Sequence, residues 1–258
     1  MNRHRLTIVV ASIVFGGATL ISCGAAPPGA DTHTPSLPTH TSTTTSTTIA
    51  STATTSTPIT STQPDGTWAE ASAQLATLAV KGRAPKTGYS RAEFGQSWTD
   101  DVGVDGGHNG CDTRNDILRR DLSEITLKPG TRGCVVLTGT LHDPYSGTTV
   151  PFTRGATTSA AVQIDHVVAL SDAWQKGAQQ LTLQQRTDLA NDPRNLQATV
   201  GTVNQRKGAG DAATWLPPAK SYRCTYVSRQ IEVKATYGLW VTAAEKSAMG
   251  AILDACPQ

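Results

Sequence analysis

The sequence lacks a strong excess of charge of either sign. Its 258 residues carry 22 lysines and arginines against 20 aspartates and glutamates, a formal net charge of +2. Setting aside Arg3 and Arg5, which lie in a leader-like segment, leaves the remainder near neutral. Overall charge therefore gives no argument for nucleic acid, and any phosphate-binding surface must come from local clustering. A convincing membrane span is also missing. The apolar run from Leu6 to Ile21 is short and is broken by Gly16 and Gly17. There is no Cys-x-x-Cys pair and no internal repeat. Histidine is scarce: outside the N-terminal quarter only His108, His142 and His166 remain.

What is present divides the chain into three parts. Residues 1–23 read as an export signal, with Arg3, His4 and Arg5 as a positive start before the apolar run. The run ends in Leu20-Ile21-Ser22-Cys23, which resembles a bacterial lipobox. Cys23 is then the expected lipidation site, because lipid anchors a chain without spanning the bilayer. Ordinary secretion with cleavage nearby is the alternative. Residues 24–66 are Thr, Ser and Pro with almost no large apolar side chains. Such a segment cannot bury enough surface to offset its ordering entropy, so it reads as a disordered tether. Residues 67–258 are long enough for one domain with a core. Four cysteines fall there, an even number in an exported chain, which favours two disulfides over a metal cluster. Of three possible pairings the sequential one, Cys111–Cys134 with Cys224–Cys256, is preferred. Loops of this length predict roughly 3–4 kcal/mol for each bridge.

Periodicity gives the elements. Trp68–Ala79 has helical spacing, and Ser90 with Glu93 suggests a capped turn through Phe94. Trp98–Gly110, rich in Asp and Gly, reads as an irregular loop. Asp112 or Thr113 can cap a helix running through Leu118 and Leu122. Glu124–Lys128, Gly133–Leu141 and Thr148–Thr153 read as strands. A strand is expected within Ala161–Val168, then helices from about Ser171 and over Thr182–Ala190. Leu196–Val200 is a further strand, and Thr202–Lys207 a short helix. Helical spacing resumes over Ala219–Tyr237. Thr242 and Glu245 form a capping box before a last helix that turns Met249, Ile252 and Leu253 inward.

The chemistry concentrates at Asp165-His166, in Gln163-Ile164-Asp165-His166-Val167-Val168. Neighbouring strand residues face opposite ways, so a strand end or bulge between the two is expected if both serve one site. Next come Asn191-Asp192-Pro193-Arg194-Asn195 and then Asn204-Gln205-Arg206-Lys207. This order resembles the HNH nuclease motif, in the variant whose last histidine is asparagine. The likeness widens to a family of exported bacterial HNH endonuclease proteins through several shared segments. They are Phe94-Gly95-x-x-Trp98, Cys111-Asp112-Thr113-Arg114-Asn115-Asp116-Ile117-Leu118, Asp143-Pro144-Tyr145-Ser146-Gly147, Ile164–Leu170, Asn191-Asp192 and Thr214-Trp215-Leu216-Pro217-Pro218.

The resemblance implies an α+β fold: an HNH ββα-metal core, hairpin plus helix, embedded among additional helices and a small antiparallel sheet. It implies His166 as general base, the role suited to a histidine titrating near neutral pH. Asp165 and Asn204 would hold one hard divalent cation, Mg²⁺ or Mn²⁺, through oxygen donors. Asn195 would brace the loop and orient His166. Lys207 would contact phosphate, with Arg114 and Arg206 as further substrate contacts. The bland readings are a turn-shaping Asp165-His166 pair, a solvated Lys207, an Arg114–Asp116 ion pair, and tryptophans that only fill core. The expected activity is endonucleolytic hydrolysis of DNA, with RNA the second candidate, by a monomer on the outer face of the cell membrane or secreted. A non-catalytic envelope lipoprotein and a phosphodiesterase for smaller substrates are the alternatives.

Overall fold

A computed structural model describes residues 68–257. The expected signal, the Cys23 lipidation site and the tether lie outside the described residues. The first helix, α1 (Trp68–Thr77), turns Ala71 and Leu75 inward, as its spacing predicts. A 3-10 turn follows at Arg91–Phe94. Ser90 makes no side-chain cap bond, so the expected capping box does not form there. The buried Phe94 anchors the turn instead, edge-on to Tyr89 and against Trp174. Gly95 then has φ 75°, and any Cβ there would collide with Thr187. Helix α2 (Thr113–Asp121) is capped by Asp112, whose carboxylate accepts from Asn115 N at 2.9 Å.

Strands β1 (Leu122–Leu127), β2 (Val136–His142) and β3 (Thr149–Thr153) form an antiparallel sheet in that order. Leu122 begins a strand rather than ending the helix. The second strand starts later than expected because Arg132 and Gly133 both have positive φ and close a turn in which Cys134 N donates to Thr131 O. A second sheet pairs β4 (Val162–His166) with β5 (Leu196–Val200), also antiparallel. Between them lie α3 (Leu170–Gln175) and α4 (Leu183–Asn191). Helix α4 has a capping box of Thr182 and Gln185 that the sequence reading missed. Helix α5 (Gly201–Lys207) follows β5 and packs on both strands of the pair. The helical stretch expected over Ala219–Tyr237 divides into a 3-10 turn, Lys220–Tyr222, and α6 (Arg223–Thr236). Helix α7 (Ala243–Asp254) carries the expected capping box and buries Met249 and Leu253. The fold is thus mixed α+β with small antiparallel sheets.

Helix α2 is sandwiched by apolar contacts. Ile117 and Leu118 cluster with Val136, Leu141 and Phe152 of the first sheet and with Val162, Ile164, Leu196 and Ala198 of the second. On the other side, α1, α6 and α7 share a core with Tyr145, Val167 and Val203. Both preferred disulfides form: Cys111–Cys134 and Cys224–Cys256. The second ties α6 to Cys256, two residues past the end of the last helix.

Three acids and two lysines meet in the interior, with the partly exposed Arg83 at their edge. Lys176 Nζ lies 2.8 Å from Asp172, 2.8 Å from Asp211 and 2.5 Å from Glu245. Lys234 pairs with Asp172 and Glu245, and Arg83 with Asp172 and Asp211. Burial penalises the Asp172 and Asp211 carboxylates. The neighbouring cations outweigh it and hold both below the usual range, Asp211 at about 2. These six residues bind α3, α6, α7 and two loops into one body.

Candidate active site

The β4 register runs unbroken from Val162↔Val200 to His166↔Leu196. The bulge expected between Asp165 and His166 is therefore not there, and the alternation of a regular strand holds. Val162 and Ile164 enter the cluster around α2. His166 shares their parity and stacks on Trp98, ring centroids 5.9 Å apart and planes 14° apart. Gln163 and Asp165 turn the other way, toward α5. Asn204 Nδ2 donates to Gln163 Oε1 at 3.0 Å, and Lys207 Nζ lies 3.0 Å from Asp165 Oδ1. Because the strand stops at His166, both side chains reach one opening at its end. A cleft of about 360 Å³ there is lined by Asp165, His166, Asn204, Gln163, Arg91 and Lys86, among others. A second, tighter cleft under Trp98 meets it at His166.

The His166 imidazole is held by one bond. Its Nε2 lies 2.9 Å from the Ala190 carbonyl, so Nε2 carries the hydrogen and Nδ1 keeps its lone pair. Burial drives its pKa down to about 3, the Ala190 bond opposes that shift, and the charges of Arg91 and Lys207 add to it. The near-neutral titration expected of a base is not what this environment gives by itself. The ring is uncharged at neutral pH, and an anion placed beside it would favour imidazolium and restore basicity.

Asn195, on the 3-10 turn Pro193–Asn195, is fully buried and works entirely on backbone. Its side chain accepts from Val168 N at 2.8 Å and donates to Leu189 O at 3.0 Å, while its own carbonyl accepts from Val167 N. It pins the two residues after His166 to the end of α4, next to the Ala190 carbonyl.

Asp165 is 4% exposed. It accepts from Tyr145 Oη at 2.8 Å and pairs with Lys207. Burial raises its pKa, and Lys207 and Tyr145 offset only part of that rise. Lys207 stands where the motif predicts but not in the expected position for phosphate. It is buried, and its ammonium goes to Asp165 and, at 2.7 Å, to the His166 carbonyl. Its neighbour Arg206 is exposed, whereas Lys207 lies on the face of α5 that meets β4, which is why its ammonium is enclosed.

Arg114 is half-buried on α2, donates to Val162 O and lies over the Phe152 ring, 5.9 Å from its centroid. It lines neither cleft, and Asp116 pairs with Arg119 rather than with it. Arg206 is exposed on α5, bonded to Thr202 O, and also lines neither cleft. His108 and His142 sit elsewhere: His108 is 3.8 Å from Asp101, and His142 bonds Thr149. Two site neighbours escaped the sequence reading, Trp98 and Tyr145. Both lie in segments shared with the resembled family, which was the available signal.

Two oxygen-bearing side chains, Asp165 and Asn204, line the cleft together. Among the described residues no group of three or more His, Cys, Asp or Glu side chains could hold a metal. The donor set suits only a hard cation that keeps most of its water. Asp165 retains lone pairs beyond its two bonds, and Asn204, whose Nδ2 is bonded to Gln163, has its Oδ1 to offer. By donor chemistry the residues fit such an ion, with Lys207 competing for Asp165.

The chain is similar to known proteins over most of the described residues. Residues 112–252 match the family model described as "GmrSD restriction endonucleases, C-terminal domain". An "Uncharacterized secreted protein" of the fungus Arthroderma benhamiae is 39% identical over 188 residues, covering 72% of this chain and 84% of the fungal one. That relative is fungal, whereas the motif likeness led to the expectation of a bacterial family. No solved structure matches.

Proposed function

The chain belongs to the family of the GmrSD restriction endonuclease C-terminal domain, a nuclease family, and from that premise we propose that it is a metal-dependent endonuclease of the ββα-metal (HNH) type, hydrolysing DNA and secondarily RNA. The observation that carries this reading is the end of β4. There a neutral histidine with one nitrogen fixed opens onto the same cleft as an aspartate and an asparagine. In this reading β4, β5 and α5 are the two strands and helix of the HNH core.

His166 acts as general base through Nδ1, taking the proton of the attacking water while Ala190 holds the other nitrogen. Trp98 stacks on the ring, and Asn195 braces the backbone that follows it. Asp165 and Asn204 would hold Mg²⁺ or Mn²⁺, which when bound supplies charge neutralisation at phosphorus and at the leaving oxygen. Lys207 moves from the phosphate-contact role to a positioning one, because it ties the Asp165 carboxylate to the His166 carbonyl. Arg114 and Arg206 have no place at the clefts and are not retained as substrate contacts. Export is part of the proposal: two disulfides suit an oxidising compartment, and the fungal relative bears "secreted" in its name.

The test incubates the disulfide-bonded protein with plasmid, single-stranded DNA and RNA, with Mg²⁺, Mn²⁺ or chelator. Metal-dependent cleavage by the wild type is expected. His166→Ala should lose about a hundredfold or more in rate while keeping its circular dichroism spectrum. Asn204→Ala should shift the metal titration to higher concentration. A wild-type protein that cleaves none of these substrates with either metal sinks the reading.

A further inference from the structure

The candidate chemistry leaves the substrate phosphate without a cationic side chain. His166 is uncharged, Lys207 is enclosed, and Arg114 is bonded away from the clefts. Arg91 fills that gap. It lines both clefts that meet at His166, as only His166 itself and Leu170 also do. It is exposed, and among the described residues it is the arginine with no hydrogen bond and no ion pair. Every other described arginine is committed: Arg83 to Asp172, Arg120 to Asp121, Arg154 to Asn115, Arg194 to Asp192 and Arg229 to Gln197, for example.

Its backbone, by contrast, is fixed. Arg91 opens the 3-10 turn that the buried Phe94 anchors, and Arg186 Nε donates to Glu93 O at 2.6 Å on the same turn. A rigid base with an unspent guanidinium is the arrangement that recognises a phosphodiester bidentately. Lys86 stands on the same rim, its Nζ 5.2 Å from the Tyr89 ring centroid. The one carboxylate among the residues lining either cleft is Asp165, already paired with Lys207. The rim is therefore a local basic cluster on a chain whose overall charge is close to balanced.

We propose that Arg91 grips the phosphodiester of a nucleic-acid strand against His166, with Lys86 taking an adjacent phosphate along the strand. This rests on the nuclease reading above. Arg91 is thus a substrate-binding residue.

The experiment measures binding rather than turnover. Anisotropy of a short fluorescein-labelled DNA duplex is followed with the full chain in chelator, over a series of salt concentrations. Arg91→Ala and Lys86→Ala should each lower the slope of log affinity against log salt by about one and weaken binding about tenfold. Lys128→Ala, an exposed lysine that lines neither cleft, should leave the slope unchanged. Arg91→Lys should restore the slope but leave kcat depressed with KM near normal, because an ammonium keeps the charge and loses the planar fork. Superimposable curves for Arg91→Ala and wild type overturn the proposal, and so does wild-type binding that does not respond to salt. Absence of cleavage by the wild type overturns the nuclease reading alone, since the slopes are read without catalysis.

Discussion

At the scale of single residues, His166 is the position where fold and chemistry pull against each other. A buried neutral imidazole is a stability cost in acid. The unfolded chain takes up its proton near pH 6.5, whereas the folded chain holds the site neutral down to about pH 3. Between those values the unfolded state binds more protons, so stability falls as pH falls, by up to about 1.4 kcal/mol per pH unit from this group. Replacing His166 by Gln should flatten the dependence of unfolding free energy on pH between about 6.5 and 5, where most carboxylates are still ionised. Urea titrations of the two proteins across that window decide it; parallel curves would show that the ring is solvated. The meeting of Asp165, His166 and Asn204 at one cleft was legible because an acid-histidine pair ends an apolar strand and is followed by Asn195, Asn204 and Lys207 in order. The job of Lys207 was not legible. Sequence spacing places a residue on a helix turn, but burial depends on which face of α5 meets β4 and β5. Trp98 and Tyr145 reach the site from distant segments, and no local pattern ties either to residues 165 and 166.

At the scale of elements, strand and helix identities followed from periodicity, and the misses have local causes. Positive φ at Arg132 and Gly133 delays β2, and the Ser90 side chain makes no cap bond to the turn it was expected to cap. The element contacts with the largest electrostatic content were invisible in the sequence, because Arg83, Asp172, Lys176, Asp211, Lys234 and Glu245 are spread across most of the domain. Only Asp172 and Lys176 share a helical spacing. The buried network joins α3, α6 and α7, and a buried charge that loses its partner is far more costly than the pair is favourable. Lys176→Met removes the cation that touches all three acids. It should cost about 3–5 kcal/mol, read as a lower urea midpoint at unchanged slope. A loss below about 1 kcal/mol would mean that Arg83 and Lys234 suffice. The network also sets an acid limit. The depressed Asp172 and Asp211 carboxylates contribute stability above their unfolded range, near pH 4, and that contribution disappears as pH falls toward about 2.

At the scale of the whole molecule, the catalytic proposal and the export proposal depend on different parts of the chain. Both clefts, both disulfides and the buried network lie between residues 68 and 257. Among the described residues no helix is long and apolar enough to cross a membrane. We propose membrane attachment through the N-terminal lipobox-like tetrapeptide ending at Cys23, with the Thr-, Ser- and Pro-rich stretch setting only distance. The two functions should separate cleanly. In a bacterial host that processes lipoproteins, the full chain is expected in the membrane pellet, released by detergent but not by salt, since acyl chains rather than charge hold it. Cys23→Ser should leave the protein soluble outside the cytoplasm, with both disulfides formed and with the metal-dependent cleavage rate of the wild type. A Cys23→Ser protein that still pellets with membranes would remove the anchor from that cysteine. A soluble variant with an altered cleavage rate would show that the N-terminal region reaches the active site, which a tether of that composition gives no physical reason to expect.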